Sequence, residues 1–256
     1  MTQENIEKLI DAALKGDADA ANELGDFLME NPTPESMDQA LDFFRIAASN
    51  GSLESVLKAM FLHNIKAKEA KSAFDWSAVQ HHTNEVIEFY KLFLQDGGYP
   101  AAFMEKVREE YCEAVYYLAT AKYFTDDETG ALSLLTSVDT REFSTPLVYT
   151  LMGCIRFALA NNAAEMHDAY KLLLPLEQLP GSAARSAQDR ADQILLAKGF
   201  VAFEIILRLL TQDLQRAYDV LKEGYDLISD EACKNILLKA MSHYKTTLLG
   251  GMKYVK

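Results

Sequence analysis

The chain repeats one pattern for starting a helix: a glycine, then an acidic or hydroxyl residue, then small and apolar residues. Residues 16–28 read GDADAANELGDFL, and residues 51–63, thirty-five positions later, read GSLESVLKAMFLH. Glycine readily adopts the left-handed conformation that ends a helix, and Asp or Ser then caps the next helix by accepting a backbone N–H. The repetition predicts helical hairpins stacked one after another.

Helical periodicity continues through the chain. Apolar residues recur at intervals of three and four, as in Ile6, Leu9, Ile10, Ala13 and Leu14, and again in Met37, Ala40, Leu41, Phe44, Ala47 and Ala48. Such spacing places one apolar stripe on a helix. No run alternates apolar and polar residues as a half-buried strand would, and Gly (12) and Pro (6) are scarce. We therefore predict an all-α fold of about twelve or thirteen helices.

Capping residues place several of the helix boundaries. Thr33 before Pro34 predicts a helix start, because proline at the first helical position lacks an N–H that would be unpaired anyway. Ser52 is expected to cap a helix ending near His63, and the following IKAKEAKSAFDW is either a helix or an insert. Thr83 is expected to begin the next helix. Later helices are predicted from Pro100, after Asp126-Asp127, within 144–162, and over about 164–174, 183–211, 213–228 and 230–249.

Short connections between these helices make successive helices antiparallel neighbours. One amphipathic hairpin cannot bury its apolar stripe alone, but stacked hairpins bury it against each other. The sequence thus predicts a right-handed α/α superhelix, a single solenoid domain with a concave and a convex face. A closed helical bundle is the competing architecture.

Residues 1–65 resemble the Sel-one-like repeat. The resemblance is carried by Gly16, Ala20, Leu24, Gly25, Ala40, Phe44, Ala47, Ala48 and Gly51, while Gln39 stands where that family often has Lys. A second copy has Ser55 in place of Ala and Ala59-Met60 in place of Leu-Gly. YCEAVYYLATAKYFTDDETGALSLL and LVYTLMGCIRFALANN resemble the related tetratricopeptide repeat in outline, so residues 66–256 are expected to continue the solenoid as degenerate repeats. The resemblance implies a scaffold or adaptor without catalytic residues or cofactor.

Small residues in the pattern have a packing role that does not depend on the family. Helices packed about 8–10 Å apart leave no room for large side chains where they cross. Gly25 and the alanines are therefore expected at crossings, with Leu and Phe filling the space beside them.

The charge of the chain disfavours nucleic acid and anionic membrane surfaces as partners. Net charge is −13, from 38 acidic and 25 basic residues, and no basic run is present. Residues 1–50 hold 11 acids and 3 bases, a net charge of −8, whereas residues 151–256 hold 12 acids and 13 bases. Nucleic-acid binding needs a basic face. A basic protein or peptide is the partner that suits the acidic N-terminal part, although the acids could also serve only solubility.

The three cysteines, Cys112, Cys154 and Cys233, are far apart in sequence and form no CxxC pair. This spacing predicts neither a disulfide framework nor a structural zinc site. The N-terminus carries no signal-peptide pattern, and charges interrupt the apolar stretches before they reach membrane-spanning length. We therefore expect a soluble, cytoplasmic protein.

No motif in the sequence indicates catalysis, a cofactor or a metal. His81 and His82 are adjacent, so on a helix their side chains diverge by about 100°. His63, His167 and His243 are expected to be ordinary helix residues, and the cysteines small apolar ones. No phosphate-binding glycine loop or HExxH helix is present.

The expected binding surface is the concave face of the first repeats. Its candidate residues flank the packing positions of the inner helices: Asn22, Asp26, Glu30, Glu54 and Phe61. Tyr116 and Tyr123 lie seven residues apart and are expected to share a helix face, either in a peptide groove or packed between repeats. These residues favour a non-catalytic scaffold that binds a protein or peptide. The alternatives are a regulatory module that responds to a small ligand or peptide signal, and an accessory subunit of an enzyme.

Overall fold

The computed structural model describes residues 2–96, 98–138, 145–178 and 189–251. These residues form twelve α-helices, one short 3₁₀ helix and no strand, which confirms the predicted all-α class. The chain divides into two compact units, Met1–Leu118 and Ala119–Lys256, and the division falls within the sixth helix. The boundary predicted between the two kinds of repeat, after residue 65, falls inside the fourth helix.

The first unit contains five whole helices and most of a sixth, which continues into the second unit. Their bounds are α1 Gln3–Leu14, α2 Ala18–Met29, α3 Pro34–Ser49, α4 Leu53–Ser72, α5 Trp76–Asp96 and α6 Ala101–Phe124. Each of the first four helices packs against its successor in the chain, and α1 also contacts α3. Small clusters of buried residues follow one another along this order. They are centred on Ala21 and Leu24, on Phe44 and Leu62, and on Met60 and Val86.

The second unit is built around one buried helix. Its helices are α7 Glu128–Thr136, α8 Pro146–Leu159, α9 Ala163–Leu173, the 3₁₀ helix Leu174–Gln178, α10 Arg190–Leu210, α11 Leu214–Leu227 and α12 Glu231–Gly251. α10 contacts α8, α9, α11 and α12, and is buried on most of its circumference, which explains its nearly uninterrupted apolar sequence. The part of the predicted 183–211 helix before residue 189 lies outside the described residues.

One turn geometry connects four pairs of successive helices. Gly16 and Gly51 both have φ near +95°, and the residue after each caps the next helix with its side chain. Ser52 N–H donates to the Ala47 carbonyl (3.0 Å), as Asp17 N–H does to Ala12 (3.1 Å). These paired bonds satisfy the last carbonyls of the preceding helix. Phe74 and Asp126 adopt the same left-handed conformation without being glycine, before the caps Asp75 and Asp127.

Two helix boundaries differ from those predicted. α4 continues to Ser72, so most of IKAKEAKSAFDW is helical, and α5 begins at Trp76 rather than at Thr83. Thr83 is fully buried within α5, and its hydroxyl donates to the carbonyl of Val79 (2.8 Å). A threonine inside a helix can bond the preceding turn in this way, so its type alone does not mark a start. The starts predicted at Thr33-Pro34, at Ser52 and after Pro100 are confirmed.

Glycines allow close approach at several helix crossings. A Cβ placed on Gly25 in α2 would lie 2.4 Å from the ring of Phe44 in α3. Gly153 in α8 faces Leu173 in α9 in the same way, and Gly224 in α11 faces the ring of Phe200 in α10. Each large side chain thus fills the space that a missing side chain leaves on the partner helix.

Replacing Gly25 by leucine should lower the free energy of unfolding by about 1–3 kcal/mol, because the new side chain and the Phe44 ring claim the same space. Urea denaturation measures the effect. Combining Gly25→Leu with Phe44→Ala should cost less than the two single changes added together. Strict additivity, or a Gly25→Leu protein of unchanged stability, would contradict the close approach.

The left-handed turns predict that two substitutions, Gly51→Ala and Asp126→Gly, have different effects on stability. A Cβ on Gly51 has no atom within 4 Å, so Gly51→Ala should cost about 1 kcal/mol through backbone strain alone. Asp126 is exposed at φ 61°, so Asp126→Gly should leave stability unchanged or raise it by up to about 1 kcal/mol. Thermal melts of both variants test the pair. The same sign of change in both would argue against strain at these turns.

Candidate functional site

Five of the seven predicted partner-binding residues lie on one surface formed by α2 and α4. We call Asn22, Asp26, Glu30, Glu54, Lys58 and Phe61 the α2–α4 face. The side-chain oxygen of Asn22 accepts hydrogen bonds from Ser55 (2.8 Å) and Lys58 (3.1 Å). Lys58 also pairs with Asp26 at 2.8 Å and with Glu54 at 2.7 Å. These bonds hold α2 and α4 side by side although α3 separates them in sequence.

Helical spacing and a cap place these groups. Asn22 and Asp26 are four residues apart on α2, and Glu54, Lys58 and Phe61 follow at intervals of four and three on α4. Residues at such intervals occupy one face of a helix. Ser52 caps α4 by accepting the backbone N–H of Ser55 (3.2 Å), which fixes where that face begins. The prediction from spacing therefore brought together residues that do share a surface.

Lys58 is the electrostatic centre of the α2–α4 face. Partial burial disfavours its charge, but the hydrogen bonds that it donates to Asp26 and Glu54 outweigh this effect and raise the pKa of Lys58. Its ammonium also lies 5.6 Å from the centre of the Phe44 ring. Asp26 and Glu54 are thus partly neutralised, which sequence reasoning did not foresee. Glu30 adds a third carboxylate to the surface, so its net charge with Lys58 is −2.

Phe61 extends this surface on α4, and Glu30 extends it at the end of α2. Phe61 lies one turn beyond Lys58 on α4 and is 53% exposed, unusually high for a phenylalanine. Glu30, the C-cap residue of α2, is exposed one turn beyond Asp26. The face therefore combines an aromatic side chain in contact with solvent and carboxylates around a fixed ion-pair network.

The two predicted tyrosines have other surroundings. Tyr116 is 8% exposed, and the ammonium of Lys71 lies 5.2 Å from its ring centre and 5.1 Å from that of Tyr117. Lys71 is itself 1% exposed, so these aromatic faces help to stabilise a buried cation. Tyr116 is therefore packed inside the first unit rather than presented to a partner.

Tyr123 belongs to the second unit and is half-buried. Burial, followed by the nearby Cys154 thiol, raises the pKa of its hydroxyl. The ammonium of Lys198 lies 4.8 Å from the centre of its ring. Tyr123 therefore has the environment of a packing residue whose hydroxyl is its polar end. Packing was one of the two roles that the sequence left open, the other being a place in a peptide groove.

A histidine pair that the sequence did not indicate lies between α4 and α5. His63 is fully buried, and its Nδ1 lies 3.1 Å from Nδ1 of His82. Its Nε2 lies 3.4 Å from Arg45, whose guanidinium donates to Glu85 (2.7 Å). The prediction that His63 is an ordinary helix residue was incomplete. The sequence did contain a signal that His63 is buried, because His63 lies on the same apolar stripe of α4 as Val56, Ala59 and Met60.

The histidine pair is held uncharged by its environment. Burial, then the charge of Arg45, lowers the pKa of His63 to about 3, and burial also lowers the pKa of His82. His81, Lys66, Asp38 and Glu85 are the other titratable groups that act on the pair. Two ring nitrogens of the pair already face each other. The cluster therefore links α3, α4 and α5 rather than presenting a base to solvent.

A second buried polar contact joins α4 to α6. The amide nitrogen of Asn64 donates to both the backbone carbonyl (2.9 Å) and the carboxylate (2.7 Å) of Glu110. Burial raises the pKa of Glu110, although the bond from Asn64 opposes this shift. Such a bond is costly to break and therefore fixes how the two helices align.

The described residues include no group of three or more His, Cys, Asp or Glu side chains arranged to hold a metal ion. All three cysteines are buried, and none forms a disulfide. Burial raises the thiol pKa of Cys154 and of Cys233 to about 12, which opposes thiolate formation. In the part of the chain that the structure describes, no helix is both long and apolar enough to cross a bilayer.

Comparison of this chain with protein families, with curated proteins and with solved structures found no match.

The buried histidine predicts acid destabilisation within a defined window. The pKa of His63 is about 3 in the folded protein and about 6.5 when unfolded, so the unfolded state binds more protons between these values. The free energy of unfolding should thus fall as the pH drops below 6.5, by about 1 kcal/mol per unit. Urea titrations at several pH values should show a shallower fall for His63→Gln. His167→Gln, at an exposed histidine, serves as the control and should keep the wild-type slope; equal slopes in all three proteins would contradict this role.

Proposed function

We propose that this protein is a non-catalytic interaction scaffold that binds a polypeptide partner on the α2–α4 face. The observation that carries the proposal is the exposed ring of Phe61 beside carboxylates whose positions are fixed by Lys58. The proposal includes an α/α superhelix of the Sel-one-like kind, in which α2 and α4 would be neighbouring inner helices. The bonds of Asn22 and Asp26 to α4 support that arrangement.

Aromatic side chains at protein interfaces contribute large apolar area at a low entropic cost. A single exposed apolar residue is common on any surface, so Phe61 alone would carry little weight. Its position matters because the surrounding network is already ordered. A partner side chain that covers the ring would therefore meet a rigid surface, which lowers the cost of association.

The expected partner is a basic or amphipathic segment. The α2–α4 face has a net charge of −2, and the first fifty residues together have a net charge of −8. Because Lys58 neutralises part of the face, attraction would come mostly from Glu30 and from the wider acidic surface. Such attraction raises the association rate and is weakened by salt.

Three buried cysteines that form no disulfide are consistent with a reducing compartment, and we propose that the protein acts in the cytoplasm. We assign no catalytic residue, because the ionisable clusters of the described residues are occupied by contacts within the fold. A role as a small-ligand-responsive module is the second candidate, and a cleft in the second unit favours it.

Phe61→Ala should remove partner binding while leaving the fold intact, because the ring is half-exposed. Immobilised wild type and variant are compared for the proteins they retain from native cell extract. Loss of a central aromatic contact should weaken binding at least about tenfold. Leu94→Ala changes an equally exposed apolar residue on α5 and is the matched control, which should retain the partner.

Lys58→Gln should act in the opposite direction on the same partner. Removing the ammonium leaves Asp26 and Glu54 unpaired and makes the surface more acidic, so affinity at low salt should rise while stability falls by about 1 kcal/mol or less. Binding measured between low and physiological ionic strength should weaken in all variants. The proposed surface would be contradicted if Phe61→Ala retained the same proteins as the wild type and if salt had no effect on their binding.

A further inference from the structure

A cleft of about 600 Å³ opens between α10, α11 and α12 in the second unit. Its size falls within the range of about 300–1,000 Å³ that is typical of sites for small molecules. Its walls are mainly apolar and come from all three helices: Val201, Ile205, Leu214, Ile236 and Ala240. The cleft is only partly enclosed, and its volume and apolar walls suit a small ligand.

One end of the cleft holds a fixed polar group. Glu204 is 5% exposed and accepts hydrogen bonds from the hydroxyl of Tyr244 and from Nε of Arg208 (3.1 Å). Burial, followed by the contact with Glu204, raises the pKa of Tyr244 and keeps its hydroxyl protonated. The guanidinium of Arg208 also contacts the Tyr244 hydroxyl, so only its remaining N–H donors are left for a ligand.

The lining of the cleft carries a net positive charge. Arg208 and Lys239 oppose one carboxylate, Glu204, so these three side chains give the lining a net charge of +1. Among the described side chains, no carboxylate lies within ion-pair distance of Lys239, and α12 carries a single acid, Glu231, two turns away. A positively charged lining favours an anionic ligand.

We propose that this cleft binds a small amphiphile that has a carboxylate head and an unbranched apolar tail. Arginine presents paired N–H donors that match the two oxygens of a carboxylate, and Lys239 adds a second positive charge. The tail would lie along Ile205, Ile236 and Ala240. This site is separate from the α2–α4 face, so either proposal can fail without the other.

Decanoate and decylammonium are the paired probes, because they share one tail and differ in the sign of the head. Isothermal titration of the full-length protein should give decanoate a Kd below about 1 mM, and decylammonium at least tenfold weaker binding. Lys239→Gln should weaken decanoate binding by about fivefold. Lys222→Gln, at an exposed lysine on α11 that does not line the cleft, is the matched control and should bind as wild type.

Ala240→Phe places a ring in the cleft and should abolish decanoate binding. Circular dichroism establishes whether this variant folds; if it does not, the head-group comparison and the two lysine variants decide the question. Equal binding of both amphiphiles, equal losses in Lys239→Gln and Lys222→Gln, or no binding of decanoate would each overturn the proposal.

Discussion

Close helix packing at glycine is the constraint on which the rest of the first unit depends. Gly25 lets the Phe44 ring approach the backbone of α2, so α2 and α3 pack without a gap. α4 then packs on α3, and its face reaches Asn22 and Asp26 of α2. A wider α2–α3 spacing would move these residues away from Lys58, so the candidate binding surface depends on the missing side chain at residue 25.

Buried polar contacts add specificity to this packing. An apolar helix stripe can slide by a turn at modest cost, whereas a buried polar group that loses its partner costs about 1–3 kcal/mol. His63 with Arg45 and His82, and Asn64 with Glu110, thus fix the register of α4 against its neighbours. The price is sensitivity to acid, because the histidines must remain neutral to stay buried.

Local signals in the sequence were sufficient for the helices and for part of the site. Ser52, Thr33-Pro34 and the glycines act within a few residues. Spacing placed Asn22 with Asp26 and Glu54 with Phe61 on single helix faces, and the expected stacking of repeats placed these two faces side by side. Long-range pairs such as Arg45 with Glu85, or Asn64 with Glu110, depend on which helices meet, which periodicity does not encode. The left-handed turn at Phe74 was missed because no glycine marks it. The sequence also gave no sign that Lys71 is buried, because the aromatic rings that cover its ammonium belong to a different helix, α6.

The most direct test of this packing is an NMR measurement on the full-length protein with labelled phenylalanine rings. Nuclear Overhauser contacts between the α protons of Gly25 and the ring protons of Phe44 are expected, with the glycine signals shifted by the ring current. Absence of these contacts, together with ordinary glycine shifts, would show that α2 and α3 do not meet at Gly25, and the α2–α4 face would lose its structural basis.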